Sequence, residues 1–433
     1  MAQDDPPEDP DKSTEWAEVR TDLAEDRNIM AMERTFAGWM RTSFAAIGIG
    51  LGFKAVFGAF DPPWLAKAIA TMFILAGDLM AQGKVSERLV SFADSLVGFM
   101  RGGLSVVSVM AGMFFAAISG SGAATPAAVG SSLVPELKRK GYDPASAASL
   151  IAASGTIGVV IPPSVPMIIY AVIAQQSVSS LFLNGFLPGL AMGIALMAIA
   201  ITQAYKRKYP KGTPLSLATI WRTLKSASWG LMTPVIILGG IFSGIFTPSE
   251  AAVVAVNYAL LVSLFVYRDL TLPQVYKLLI RSAMTTAVIM LVIAMSAVLS
   301  WTLSSWQVPG AIAQAVLSLS TNPYVIMLLV VAVILLTGVF IETASALIIL
   351  TPVLLPLVLQ LGIDPIHFGL IIVVGLSIGM ITPPVAINLY VASSVTQLPL
   401  ERITRAIIPY LLGLIGVLLL VVYVPILLGW SGR

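Results

Sequence analysis

Cysteine is absent from the 433 residues, and histidine occurs once, at His367. The first absence excludes disulfides, thiolate metal sites and cysteine nucleophiles. The second excludes histidine-rich metal centres, and nothing in the sequence pairs a nucleophile with that histidine as base. Charge is scarce as well: 11% of residues are Asp, Glu, Lys or Arg, against about 25% in soluble domains. With 57% of residues hydrophobic, that shortage marks an integral membrane protein before any motif is considered. No G-x-x-x-x-G-K-[ST] loop and no H-E-x-x-H occur, so the chain is not by itself an ATP-driven motor, and it reads as neither an enzyme nor a nucleic-acid binder.

The little charge present is unevenly placed. Ten of the 22 acidic side chains lie within residues 1–26, a polar, Pro-containing stretch that reads as an acidic disordered tail. That stretch has neither the basic start nor the early apolar core of a secretory signal. Apolar runs of spanning length then recur at roughly 36–58, 63–82, 104–124, 149–174, 180–204, 228–246, 250–267, 283–303, 322–358, 366–396 and 406–430. Several are too long or too interrupted for one helix. The expectation is ten to twelve crossings, re-entrant hairpins included. The pieces 85–103 and 268–282 carry charge on one face and are expected to lie along the interface. The basic loop KRKYPKG (206–212) is expected on the cytoplasmic side.

One of these runs is broken in an unusual way. ASGTIGVVIPPSVPMIIY (153–170) holds Gly155, Gly158, Pro162, Pro163 and Pro166 inside an apolar segment. A proline costs about 3 kcal/mol in a helix interior, because it removes a donor and clashes with the preceding turn. In hydrocarbon no water satisfies the freed carbonyls, so a broken helix survives only where protein or a wet cavity surrounds it. A binding site meets that requirement.

The break has a partner in GLSIGMITPPVAINLYV (375–391). Placing Pro162-Pro163 on Pro383-Pro384 gives an offset of 221 residues (383 − 162). The same offset places GYDP (141–144) on GIDP (362–365), and Pro135 on Pro356, without a gap. This is an internal duplication, with one copy at about 104–174 and the other at about 325–396. The first Gly-x-Asp-Pro turn follows Lys138, Arg139 and Lys140, whereas the second follows the uncharged LVLQL. The positive-inside rule places the first turn in the cytoplasm and the second on the opposite face. Inverted repeats with paired broken helices point to a secondary transporter whose site lies at the midplane.

Candidate site residues gather around these breaks. In SGSGAATPAAVGSSLVP (119–135), Ser119, Gly120, Ser121 and Thr125 combine small residues with hydroxyl oxygens. The stretch reads either as a helix-packing face or as a re-entrant tip whose carbonyls and hydroxyls form an oxygen cage for sodium. Positive half-helix ends nearby would instead favour a substrate carboxylate. In GVFIETASALIILTPVLLP (338–356), Glu342 is an ionisable group deep in an apolar run. It faces a cavity or partner, or else serves as a hydrogen-bond acceptor for a neighbouring helix end. Thr382 and Asn388 add polar groups on the second broken helix, where Ser377 and Gly379 match Thr156 and Gly158. Asp143-Pro144 and Asp364-Pro365 read as helix caps, and Pro248 with Glu250 as the first turn of a helix.

Three long stretches, AAISGSGAATPAAVGSSLVPELKRKGYDPASAASLIAASGTIGVVIPPSVPMIIYAV, GIFSGIFTPSEAAVVAVNYALLVSLFVYRDLT and GIDPIHFGLIIVVGLSIGMITPPVAINLYVASSV, resemble the large membrane subunit of TRAP transporters, the DctM/SiaM type, from about residue 68 onward. The resemblance implies an all-α polytopic, inverted-repeat carrier of the elevator type, with two re-entrant helical hairpins and two broken helices. It implies sodium-coupled symport, a small TRAP membrane subunit, a periplasmic substrate-binding protein and a small carboxylate substrate, such as a dicarboxylate or sialic acid. It places the hairpins at 107–140 and about 335–360. Substrate and ion positions are implied at Ser119, Gly120, Ser121, Thr125, Thr156, Gly158, Pro162, Gly338, Glu342, Thr343, Gly379, Thr382 and Asn388. Sodium itself is placed at Ser119, Ser121, Thr156, Gly338, Thr343 and Thr382. Many relatives have an aspartate where this chain has Thr125, so a charged role does not transfer there.

The N-terminus departs from that pattern. RNIMAMERTFAGWMRTSFAAIGIGLGF (27–53) resembles the small YidH-like membrane family instead. The expected organisation is an acidic tail (1–26), a YidH-like transmembrane segment (27–62) and a transport domain (63–433). The expected function is the translocating subunit of a sodium-coupled importer of a small organic acid in a bacterial inner membrane. Two alternatives are a non-cycling assembly or regulatory protein that retains the carrier fold, and a carboxylate carrier that needs no binding protein.

Overall fold

The computed structural model describes residues 85–212, 214–284 and 322–428, together with a few isolated positions, all within the compact unit Trp64–Arg433. The acidic tail, the YidH-like segment and nearly all of 63–82 and 283–303 lie outside the described residues. What is described is helical, apart from one isolated bridge between Arg101 and Lys211.

The first hairpin is made by α2 (Gly103–Ser119) and α3 (Ala124–Arg139), preceded by the amphipathic α1 (Val85–Val97). Val85, Leu89, Phe92 and Ala93 of α1 are buried at helical spacing while Glu87 and Ser91 stay exposed. Burial pushes the Asp94 carboxyl on α1 above its ordinary range, against the pull of the nearby Lys140 charge. The first broken helix is α4 (Pro144–Ile157) and α5 (Val165–Ala174), followed by the long α6 (Val178–Lys206). Next come α7 (Leu217–Phe242) and α8 (Pro248–Leu261), which runs on as a π-turn over Val262–Val266. Thr247 and Glu250 form a reciprocal capping box at the start of α8, as Pro248 and Glu250 predict.

The second copy repeats this order. Its hairpin is α9 (Pro323–Phe340) and α10 (Thr343–Gln360), its broken helix α11 (Pro365–Gly379) and α12 (Ile387–Thr396), and its long helix α13 (Leu400–Leu427). The hairpin therefore begins twelve residues before position 335, because Asn322 caps α9 through the Tyr324 N–H at 2.9 Å with Pro323 in the first turn. Both broken helices start as the Asp-Pro dipeptides predict. Asp143 accepts from the Ser146 N–H at 2.9 Å, and Asp364 from Ile366 and His367 at 2.7 and 3.0 Å. Both Pro-Pro bonds, at 162–163 and 383–384, are cis. Among the described residues, α6, α7, α9, α10 and α13 are long and apolar enough to cross a membrane.

The copies are inverted and interlocked. The buried Tyr170, near the end of the first broken helix, donates to Pro365 O at the start of the second, at 2.5 Å. At the other end, Lys138 Nζ beside the start of the first donates to Thr396 O at the end of the second, at 3.0 Å. The second arm of each hairpin packs on its own broken helix and on the outer half of the other: α3 on α4 and α12, α10 on α11 and α5.

The two basic loops, each assigned to the cytoplasmic face by charge, lie together. Arg207 pairs with Asp143 at 2.6 Å, and the Tyr209 hydroxyl accepts the Asp143 N–H at 3.1 Å. Asp143→Ala removes both a helix cap and this half-exposed pair, and should cost about 1–2 kcal/mol. Asp143→Asn keeps the cap and should recover most of it. Thermal unfolding of the purified chain reads the difference; equal losses would assign the stability to the ion pair instead.

Candidate functional site

The tip of the first hairpin meets the first broken helix backbone to backbone. Gly120 closes α2 in the left-handed region (φ 59°), and its N–H donates to Ala116 O. A Cβ there would stand 2.6 Å from Pro163 O, next to the cis bond at Pro162. Ser119 is buried, and its hydroxyl oxygen accepts the Ser121 N–H at 3.4 Å. Ser121 in turn accepts the Ala124 N–H on Oγ at 3.4 Å and the Thr125 hydroxyl on its carbonyl at 3.0 Å.

Gly158 faces this knot from α4. A Cβ at 158 would lie 2.5 Å from Ser121 O, 2.7 Å from Thr125 Oγ1 and 3.0 Å from Gly155 O. Three oxygens thus crowd the Gly158 Cα so closely that any side chain is excluded, and oxygens of this kind are what unwound helix ends offer a small hard cation. Thr156, fully buried, donates its proton to Ala153 O at 2.7 Å. Its repeat partner Ser377 does the same to Val374 O at 2.7 Å. Each hydroxyl thereby keeps its lone pairs for another partner.

The second repeat reaches into this half-site through Asn388, in the first turn of α12. Asn388 is fully buried, and its Nδ2 donates to Ala152 O at 3.3 Å across the repeats. Its Oδ1 has no hydrogen-bond partner among the described residues. A Cβ at Gly155 would sit 2.7 Å from both Asn388 Nδ2 and Gly122 O.

The second half-site joins α9 to α11. A Cβ at Gly379 would fall 2.4 Å from both the carbonyl carbon and the oxygen of Gly338, so the two glycines allow the closest approach in this repeat. Thr343 is buried with its hydroxyl unpartnered among the described residues, while the Thr382 hydroxyl donates to Ile378 O at 2.9 Å. Glu342 is exposed and caps its own helix, accepting the Ala344 and Ser345 N–H groups at 2.9 and 3.2 Å. The helix end it serves is thus α10's and not a neighbour's.

The candidates therefore form two half-sites, which meet where a Cβ at Gly122 would touch Met380 at 2.7 Å. The halves are not equivalent in charge. Ser121 and Glu342 are repeat partners (342 − 121 = 221), so the second tip carries a carboxylate on a helix N-terminus and the first carries a hydroxyl. Likewise Ser164 caps α5 through the Met167 N–H, whereas α12 starts behind Ala386 with no side-chain cap. Sequence reasoning passed over Gly155, Ser164 and Met380 as site residues. Ser164 was legible as a cap two residues before Pro166; Met380 carried no signal.

A family model described as the DctM component of the tripartite ATP-independent periplasmic transporter matches residues 65–427. A domain of unknown function, DUF202, matches residues 27–83, where the YidH-like resemblance lies. The chain is 44% identical over 353 residues to the C4-dicarboxylate TRAP transporter large permease protein DctM of Pseudomonas aeruginosa, covering 82% of this chain and 83% of that one. It is 39% identical over 378 residues to the sialic acid TRAP transporter large permease protein SiaM of Vibrio cholerae, with 87% and 88% covered. Against the isethionate TRAP transporter permease protein DctMQ of Oleidesulfovibrio alaskensis it is 41% identical over 396 residues, but spans only 62% of that protein's length. The crystal structure of the Alcanivorax borkumensis YdaH transporter shares the fold, with a TM-score of 0.63 at 17% identity, covering 90% of this chain and 91% of that one.

Proposed function

The chain belongs to the family of DctM components of tripartite ATP-independent periplasmic transporters, and from that premise we propose that it is the translocating subunit of a sodium-coupled symporter for a small organic acid. Its substrate class is a small carboxylate, given that relatives are named for C4-dicarboxylates and sialic acid. Its partners are a small TRAP membrane subunit and a periplasmic substrate-binding protein, and its place is a bacterial inner membrane. Relatives of this kind are permeases and not enzymes.

The observation that supports sodium coupling is the convergence of three oxygens beside Gly158, Ser121 O and Thr125 Oγ1 from the hairpin and Gly155 O from the broken helix. The residues fit a small hard cation, because every donor is oxygen and none is thiolate or imidazole. Binding would tie hairpin tip to broken helix. Asn388 would add a contact from the opposite repeat, with its free Oδ1 as acceptor. The carboxylate of Glu342 would disfavour a substrate anion at the second tip and leave the first tip as the anion's place.

Thermal stability of the purified chain in sodium against potassium, at equal ionic strength, tests the ion site without substrate or partner. A ligand that binds only the folded state stabilises it by roughly RT ln(1 + [L]/Kd), about 2.7 kcal/mol at a hundredfold excess over Kd. Sodium should raise the melting temperature, and Ser121→Leu or Thr156→Leu should erase that rise and abolish uptake without abolishing insertion. Normal uptake by both variants would remove these residues from the site. A chain that binds sodium but never transports, with any partner supplied, would favour the non-cycling alternative. Uptake with no soluble binding protein present would favour a binding-protein-independent carrier.

A further inference from the structure

Three segments far apart in sequence build one basic surface at the end of the molecule where the first broken helix begins. The turn between α1 and α2 brings Arg101, the end of α3 brings Arg139 and Lys140, and the linker between α6 and α7 brings Lys206 to Lys211. The linker holds both of the others. The Gly102 N–H donates to Pro210 O at 3.0 Å, Arg101 and Lys211 form the isolated bridge, and the rings of Tyr142 and Tyr209 stand 4.2 Å apart.

Two of the acids in this surface are already engaged, and the third, Asp94, is half-buried beside Lys140. Glu136 pairs with Arg139 at 2.5 Å and Lys140 at 3.5 Å, and Asp143 pairs with Arg207 at 2.6 Å. Lys206, Lys208 and Lys211 are exposed and pair with no acid among the described residues. A charge run of this kind is ordinarily a solvated face. Its surroundings here are not: Tyr205, Leu217 and Trp221 on the adjoining helix ends are 61, 80 and 70% exposed, and Phe99 beside Arg101 is 45% exposed. Aromatic and aliphatic side chains beside cations at helix ends sit at headgroup depth, the apolar part in the acyl boundary and the ammonium groups among the phosphates.

We propose that Lys206, Lys208 and Lys211, held together by the contacts of the α6–α7 linker with Gly102 and Asp143, form a docking surface for anionic phospholipid headgroups on the cytoplasmic leaflet. The linker is pinned to the turn that opens the first broken helix, so a lipid bound there bears on the same turn. The charge-complementary occupant is a phosphodiester fixed at the bilayer surface, and the exposed Trp221 and Leu217 select it over a soluble anion.

The test uses the full chain in bilayers of phosphatidylcholine with increasing fractions of phosphatidylglycerol. Bromine-labelled acyl chains quench tryptophan fluorescence, which gives the relative binding constant of the two lipids. A cation near an anionic surface strengthens association by about fivefold, so the native chain should prefer phosphatidylglycerol by at least that factor. The triple variant Lys206→Gln, Lys208→Gln, Lys211→Gln should bring the preference close to one, while Arg at the same three positions keeps it. Lys277→Gln, which removes an exposed lysine in the helical stretch 272–284 outside the linker, should leave it unchanged. Raising salt should shrink it, because these charges are exposed. An equal preference in the native and glutamine-bearing chains would overturn the proposal. So would an equal loss in the Lys277 variant, which would mean that net charge alone decides. Inorganic phosphate that abolishes the preference at constant ionic strength would assign the surface to a free anion and overturn the lipid assignment.

Discussion

Gly379→Ala is expected to abolish uptake and the sodium-specific rise in melting temperature, while the chain still inserts. The methyl group would fall 2.4 Å from the carbonyl carbon and oxygen of Gly338 and 2.5 Å from its Cα. Those are backbone atoms, which cannot rotate aside, so α9 and α11 must separate along one of the principal packing contacts of the second repeat. Forcing extra volume into a packed contact costs typically 1–3 kcal/mol, and here it lands on the half-site itself. Gly375→Ala is the matched control on the same helix. Its methyl would meet Cγ2 of the buried Ile334 at 2.6 Å, so it strains the same α9–α11 contact but one turn away from the candidate site, and reports the packing cost alone. Melting curves of both variants in sodium and in potassium settle the matter. If Gly379→Ala keeps the full sodium effect, the second hairpin tip has no part in ion binding.

The second large effect is expected at the repeat-equivalent position. Gly158→Ala would place its methyl group in the space bounded by Ser121 O, Thr125 Oγ1 and Gly155 O. The methyl group would push Ser121 O and Thr125 Oγ1 away from Gly155 O and so break up the oxygen set that the proposal gives to sodium, and sodium stabilisation should vanish. The potassium melting point should drop too, since Ser121 O, the nearest atom at 2.5 Å, is backbone and cannot turn aside. Thr125→Ala separates two explanations. If it restores sodium stabilisation to the Gly158→Ala chain, the hydroxyl was crowded but is not an ion ligand. If the double variant stays insensitive, the carbonyl cage itself was lost. Undiminished sodium stabilisation in Gly158→Ala would remove the first half-site from the proposed mechanism.

Much of this architecture was legible because it rests on local chemistry. Asp143-Pro144 and Asp364-Pro365 announce helix starts wherever they occur, since the carboxylate accepts first-turn N–H groups and proline needs none. The Pro-Pro pairs announce breaks for a similar reason. The start of the second hairpin was less legible, because TNPYVIMLLV (321–330) runs into the hairpin as unbroken apolar sequence and only the Asn322 cap marks the boundary. Glu342 stood out as the one acid in its apolar run. Whether it faced a cavity or served a helix end could not be read from composition, because either use satisfies a carboxylate. Met380 went unnoticed because it is an ordinary apolar residue, made important only by a glycine from the opposite repeat.

From its residues alone, then, the chain determined that it lives in a membrane, that it is duplicated with an offset of 221, and where each broken helix starts and breaks. Those properties depend on hydropathy, on backbone donors and on spacing, all local to a few residues. Tertiary structure decided that the copies interlock, with α3 on α12 and α10 on α5. It also decided that the two clusters of candidate residues meet at Gly122 and Met380, and that three distant basic segments share one surface. These are contacts between groups more than 60 residues apart, such as Asn388 with Ala152 and Arg207 with Asp143. No local rule selects such a partner; packing the whole helical core does.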